Sequence, residues 1–182
     1  MSKPLLSDTV NNNLNILVQR LFLGNRILDR QMAILSTKFV MKRTSDVLHP
    51  VLSHAYPLLA DIISDYQDSK NCITEYLDTP TNIVDYESPI ELFQTYLNYN
   101  LELEELIYEC ISICMDEGDR TTKVFLDKFL LQIQEYTSQG QLLLDRVSQY
   151  DNTPSGRMEF DRDIERVIFI SQLQGKQYNP QN

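Results

Sequence analysis

Apolar side chains recur along this chain at steps of three, four or seven residues. The first run reads Val10, Leu14, Leu17, Val18, Leu21, Leu28, Met32, Leu35 and Phe39. Those steps return to one face of an α-helix, so the spacing predicts an amphipathic helix of about thirty residues starting near Ser7. The same period appears three more times. It runs through Leu48, Leu52, Leu59, Ile63, Tyr66 and Leu77, through Leu92, Tyr96, Tyr99, Leu103, Leu106, Cys110 and Ile113, and through Phe125, Phe129, Ile133, Tyr136, Leu143 and Val147. With 5 glycines and 7 prolines in 182 residues, the chain has little material for the tight turns of an all-β protein. The expected fold class is all-α.

Polar and helix-breaking residues set the boundaries. Ser7 or Asp8 can cap the first helix by accepting orphan backbone N–H groups. The segment from Met41 to Asp46 breaks the rhythm as a short connection, with Ser45 or Asp46 available to cap a second helix that runs to about Leu77. Pro50 suits a first turn, whereas Pro57 inside a helix removes a hydrogen bond at a cost of ~3 kcal/mol. The second helix is therefore expected to kink or to restart near Pro57. Residues 78–88 read as a crossover loop, ended by Ser88-Pro89-Ile90-Glu91, where Ser88 caps, Pro89 takes the first helical position and Glu91 reaches back. Gly118 suits a left-handed helix end, and Asp119 or Thr121 opens the next helix. So short a turn forces these two helices antiparallel.

The expected architecture is an antiparallel four-helix bundle over residues 7–150, made of two helical pairs joined by the crossover. A C-terminal extension, 151–182, would carry a short helix from Phe160 to Leu173 and a mobile polar tail. Two irregularities stand out on the apolar seams. Gly24 and Asn25 interrupt the first, leaving room for a ligand or another backbone. Asn100, Glu104, Gln132 and Tyr136 place a polar layer across the third and fourth.

Acidic residues outnumber basic ones by 26 to 16, for a net charge of −10. Nucleic-acid affinity comes largely from cations that neutralise phosphates, so direct DNA binding is not expected. An acidic field does draw cations into an enclosed space. Cys72, Cys110 and Cys114 match no disulfide or zinc spacing and point to a reduced, cytoplasmic setting. The start MSKPLLSDTVNNN lacks the basic and apolar regions of a signal peptide, and no apolar run reaches the ~20 residues that cross a bilayer. No membrane role is expected. The sequence also contains no glycine-rich phosphate loop or nucleophile elbow.

The segment TKFVMKRTSDVLHPVL, residues 37–52, resembles the end of the first helix, the loop and the Leu-His start of the second helix in the Dps-type members of the ferritin superfamily. Those are cage-forming proteins that oxidise and store iron. ESPIELFQTYLNYNLELEELI and MDEGDRTTKVFLDKFLLQ are similar to the third helix, turn and fourth helix of ferritins, so the likeness covers roughly residues 10–150. It implies a ferritin-like bundle and a homo-oligomer with iron as its cargo. His49 falls on the family's histidine ligand, and Asp68 on a glutamate ligand with Asp65 near the aspartate position. His54 matches the histidine of the Glu-x-x-His pair of larger ferritins. The remaining ligand positions fall on Thr37, Ser53, Ser64, Val51, Asn100, Gln132 and Ile133.

The metal ligands expected from this likeness are His49, Asp65 and Asp68, with His54 as a further one. A ferroxidase-type centre needs several hard oxygen and imidazole ligands converging from different elements. Two functional readings follow. One is a Dps-like cytoplasmic protein that sequesters iron against oxidative stress, with ferroxidase activity weak or lost. The other is a catalytically silent four-helix bundle with a structural or protein-interaction role, in which His49 is a contact residue and the aspartates form a solvated face.

Overall fold

A computed structural model describes residues 3–80 and 84–168 of the chain. It consists of helices α1 (Asp8–Thr37), α2 (Lys42–Leu48), α3 (Ala55–Ser69), α4 (Pro89–Asp116), α5 (Arg120–Val147) and α6 (Pro154–Asp163), the last continued by a single 3₁₀ turn, Ile164–Arg166. Among the described residues there is no strand. Ser7 caps α1 through Val10 N–H, and Ser88 caps α4 through Glu91 N–H. The Glu91 carboxylate reaches back to the N–H of Glu87 at 2.8 Å. Gly118 is left-handed at φ 72°, and Asp119 caps α5 through Thr122 N–H.

Side-chain contacts establish that the long helices alternate in direction. Asn25 meets Ser53, Asp29 meets His49, and Gln67 meets Asn15, so α3 runs back along α1. Tyr99 reaches the carbonyl of Arg20 and Cys110 that of Asn13, which sets α4 antiparallel to α1. Glu104 accepts from Gln134 and Thr137 while Leu97 lies against Gly140, setting α5 antiparallel to α4. Stacking of Tyr66 on Phe125, with centroids 4.0 Å apart, closes the ring between α3 and α5. The core follows the sequence stripes: Leu14, Leu17, Leu21, Leu28, Leu35, Leu59, Ile63, Leu92, Leu103, Cys110, Phe129, Ile133 and Leu143 are all buried.

The connection between the pairs is longer than its sequence pattern indicates. Helix α3 stops at Ser69 and not at Leu77, and Asn71 takes φ 55°. From there the chain forms a strap that climbs α1 in parallel. Asn11 donates to the carbonyl of Ile73, Gln19 to Asp78, Arg26 to Thr79 and Lys38 to Tyr86. Buried Gln67 bonds to Asn11 and Asn15, and Asn15 in turn accepts the N–H of Glu75. Side chains of α1 and of Lys38 just after it thus donate to strap carbonyls, and Asn15 accepts a strap N–H, pairing groups that a helix would have paired internally, so Ile73 and Leu77 point outward.

Pro57 acts by restarting the helix. Between α2 and α3 the residues His49–Ser53 form a π-turn, with His54 N–H bonded to His49 O at 3.3 Å, and α3 begins at Ala55 with Pro57 in its first turn. Helix α2 begins after Met41, which offers no side-chain cap; neither Ser45 nor Asp46 supplies one. The cap comes from α6, whose Asp161 accepts the N–H groups of Thr44 at 2.6 Å and Arg43 at 3.4 Å. The helix expected over Phe160–Leu173 starts six residues earlier, at Pro154, and leaves α-geometry after Asp163. Phe160 is buried against Phe93 and Tyr150. Residues 169–173 of that expectation lie outside the described residues, as does the tail.

Candidate metal centre and the filled bundle core

His49 opens the π-turn, with Pro50 next to it in the first turn and the His49 carbonyl accepting the N–H of His54. The His49 Nε2 lies 3.0 Å from Asp29 Oδ1 on α1, and the His54 ring packs edge-on at a centroid distance of 4.5 Å. Ser53 Oγ donates to the same Asp29 oxygen, and Asn25 Nδ2 donates to Ser53 Oγ at 3.0 Å. The imidazole and carboxylate are both partly exposed, with side-chain accessibilities of 43% and 48%. The cluster therefore joins His49 and His54 to Asp29, a residue that helical spacing alone does not single out.

Asp65 and Asp68 are not part of it. Both are exposed on α3, with Asp65 about 16 Å further along the helix axis than His54 at 1.5 Å per residue. Among the described residues, no group of three or more His, Cys, Asp or Glu side chains is arranged to hold a metal ion.

The bundle centre carries a different chemistry. Tyr56, Tyr96, Tyr99, Asn100 and Tyr136 are all buried there. Tyr56 Oη donates to Asn100 Oδ1 at 2.8 Å, and Asn100 Nδ2 donates to Tyr96 O at 2.9 Å. Tyr96 Oη reaches Tyr136 O at 3.4 Å, and the Tyr56 ring lies 6.3 Å from that of Tyr99 and 6.2 Å from that of Tyr136. Gly24 makes the room: a Cβ there would stand 2.6 Å from the Tyr56 ring and 2.8 Å from that of Tyr99. The small residue noted on the first seam receives aromatic rings from two other helices, which occupy the space beside it. Open grooves lie outside it, among them one of about 330 Å³ between α1 and α4 and one of about 470 Å³ at the α4–α5 turn.

Burial pushes the Tyr56 hydroxyl well above the usual phenol range, with the neighbouring Tyr96 and Tyr99 adding to the shift and the Asn100 bond opposing it. Tyr96 and Tyr99 are raised by burial as well, and Tyr136 is pushed up to about 12 by burial and the nearby Glu135. All four remain neutral near pH 7 in the metal-free chain. Asn100 occupies the position where the ferritin likeness implies a glutamate, and its amide is engaged by Tyr56. Glu104 is spent on Gln134 and Thr137 between α4 and α5, apart from the central layer. The residues at the bundle centre do not fit a di-iron site.

Tyr96, Tyr99 and Tyr136 are legible as seam positions. Tyr56 is in phase with the second stripe as well, four residues after Leu52 and three before Leu59, but its match with Gly24 is a contact across helices that spacing along one chain segment does not contain.

No protein-family model matches the sequence, and no curated protein matches it. Solved structures do match in shape. An engineered closed form of the Archaeoglobus fulgidus ferritin superposes with a TM-score of 0.79 at 15% identity, covering 87% of this chain and 96% of that one. A humanized archaeal ferritin gives 0.79 at 16% identity over 87% and 95%. Chlorobium tepidum ferritin gives 0.75 at 20% identity over 90% and 99%. The chain has the ferritin-like fold.

Proposed function

We propose that this chain is a self-assembling, ferritin-fold protein with a structural or protein-interaction role, whose bundle does not oxidise iron. The observation that carries this reading is Tyr56, packed against Gly24 and bonded to Asn100 in the space where metal ligands would have to converge. Ferroxidase chemistry needs carboxylates and imidazoles with open coordination positions, and a packed layer of phenols and one amide supplies neither. Assembly is inferred from the ferritin-like shape and from the apolar side chains that the subunit leaves exposed. Three free thiols accord with a reducing cytoplasmic setting. Among the described residues no helix is long and apolar enough to cross a membrane.

Iron sequestration of the Dps type is the second reading, and the His49, His54 and Asp29 cluster favours it. Two imidazoles beside a half-exposed carboxylate can hold a divalent ion weakly as cargo. One experiment separates the readings. The purified protein is sized by sedimentation and then mixed with ferrous iron in air. An oligomer that leaves the ferrous iron oxidising at the buffer rate and retains none of it after desalting supports the first reading. A faster ferric absorbance rise that is lost in His49→Ala/His54→Ala overturns it in favour of the second.

A further inference from the structure

The outer face of the α4–α5 hairpin carries an apolar row that none of the described residues covers. Leu101 and Tyr108 on α4 are each 46% exposed, Met115 is 63%, and Val124 and Leu131 on α5 are 52% and 64%. Each row repeats every seven residues, a step that returns to the same helix face with a drift of only about 20°. The contacts of Glu104 with Gln134 and Thr137, and of Leu97 with Gly140, set the register between the two helices. In that register Tyr108 stands level with Leu131 and Met115 with Val124. The five side chains therefore form one band along the hairpin, on the side away from α1 and α3.

Charge is divided between the two helices. Helix α4 bears six acidic side chains and no lysine or arginine, whereas the first half of α5 bears Arg120, Lys123 and Lys128. Of these cations only Lys123 has an ion pair among the described residues, with Asp127 at 2.7 Å.

We propose that this face is a self-association surface that takes a second copy of this chain, each α4 lying over the other copy's α5. A two-fold axis along the hairpin does this while preserving height. It sets Tyr108 against Leu131 of the second copy and Met115 against Val124. The same axis brings the carboxylates of α4 towards the cations of the opposing α5. Laying α4 on α4 would instead oppose like charges, which disfavours that pairing. The face is long enough. Two 28-residue helices side by side are about 42 Å long and about 20 Å wide, on the order of 800 Å², the share one partner gives to a standard interface.

This inference rests on the assembly reading, and the test keeps the two apart. Sedimentation velocity is run on the full chain, on Tyr108→Glu/Leu131→Glu, and on Ile73→Glu, which alters an exposed apolar residue on the strap. Circular dichroism verifies that each variant is folded. The expected result is an oligomer for the parent chain and for Ile73→Glu, with the double variant reduced to at most half that mass. An oligomer whose mass the folded double variant leaves unchanged overturns the surface alone. A monomeric parent chain overturns the surface and the assembly reading together.

Discussion

The carbonyl of Ser53 accepts a hydrogen bond from Asn25 Nδ2 at 3.1 Å, and Pro57 is the reason it is free to do so. In a regular helix that carbonyl would take the N–H of residue 57, which proline lacks. Asn25 replaces the missing donor from α1 and also bonds to Ser53 Oγ. The polar break in the first seam and the proline in the second helix are thus one feature seen from two sides. Asn25→Ala is expected to destabilise the fold by about 1–3 kcal/mol, because it leaves a poorly hydrated carbonyl unpaired. In a Pro57→Ala background the restored N–H can fill the vacancy, so the loss should shrink. A urea double-mutant cycle measures this, and two additive losses would refute the link.

The central tyrosine makes a sharper demand. Tyr56→Phe keeps the ring but strands Asn100 Oδ1, which should cost about 1–3 kcal/mol. Gly24→Ala drives a methyl group into two rings and should cost about 1–3 kcal/mol through overpacking. Thermal melts of both variants test this; a Gly24→Ala protein as stable as its parent would mean that the rings do not meet there.

Asp161 caps α2 from α6, and Asp161→Ala should cost about 1 kcal/mol by exposing the N–H groups of Arg43 and Thr44. Hydrogen exchange at those two amides gives the local readout. They should exchange faster in the variant, while amides in the middle of α4 keep their protection.

Val40 is β-branched, 79% exposed and held at φ 58°, a conformation that suits glycine. Val40→Gly is expected to raise the midpoint of chemical unfolding by an amount equivalent to about 1 kcal/mol, since relief of the strained backbone outweighs the added chain entropy. A lowered midpoint would count against a left-handed residue 40.

Burial raises the thiols of Cys114 and Cys110 to about 11 and about 12, and the Tyr136 hydroxyl to about 12. A group whose folded-state value is raised contributes stability that is complete below its unfolded value and is lost as pH rises towards the folded one. These groups therefore leave stability level up to about pH 9 and erode it from there to about pH 12. Urea midpoints taken across that range should fall steadily, and a rise above pH 10 would contradict it. The same burial should make both α4 thiols slow to alkylate at pH 8 until the protein is unfolded.

The sequence by itself determined the helical class, the approximate span of α1, α4 and α5, the cap at Ser88, the caps at Ser7 and Asp119 to within one or two residues, and the turn at Gly118. Each of these depends on neighbours within a few residues, and local backbone sterics and helical period suffice to write them. The end of α3 at Ser69 was not legible, because Ile73 and Leu77 continue the helical spacing while Asn15 and Gln67 draw the backbone away into the strap. Only the tertiary structure decided which side chains meet. It paired His49 with Asp29 and His54, separated both histidines from Asp65 and Asp68, and brought Tyr56 onto Gly24. Contacts between helices depend on rotation and register, and the π-turn over His49–Ser53 changes both in a way that no count of residues along the chain contains.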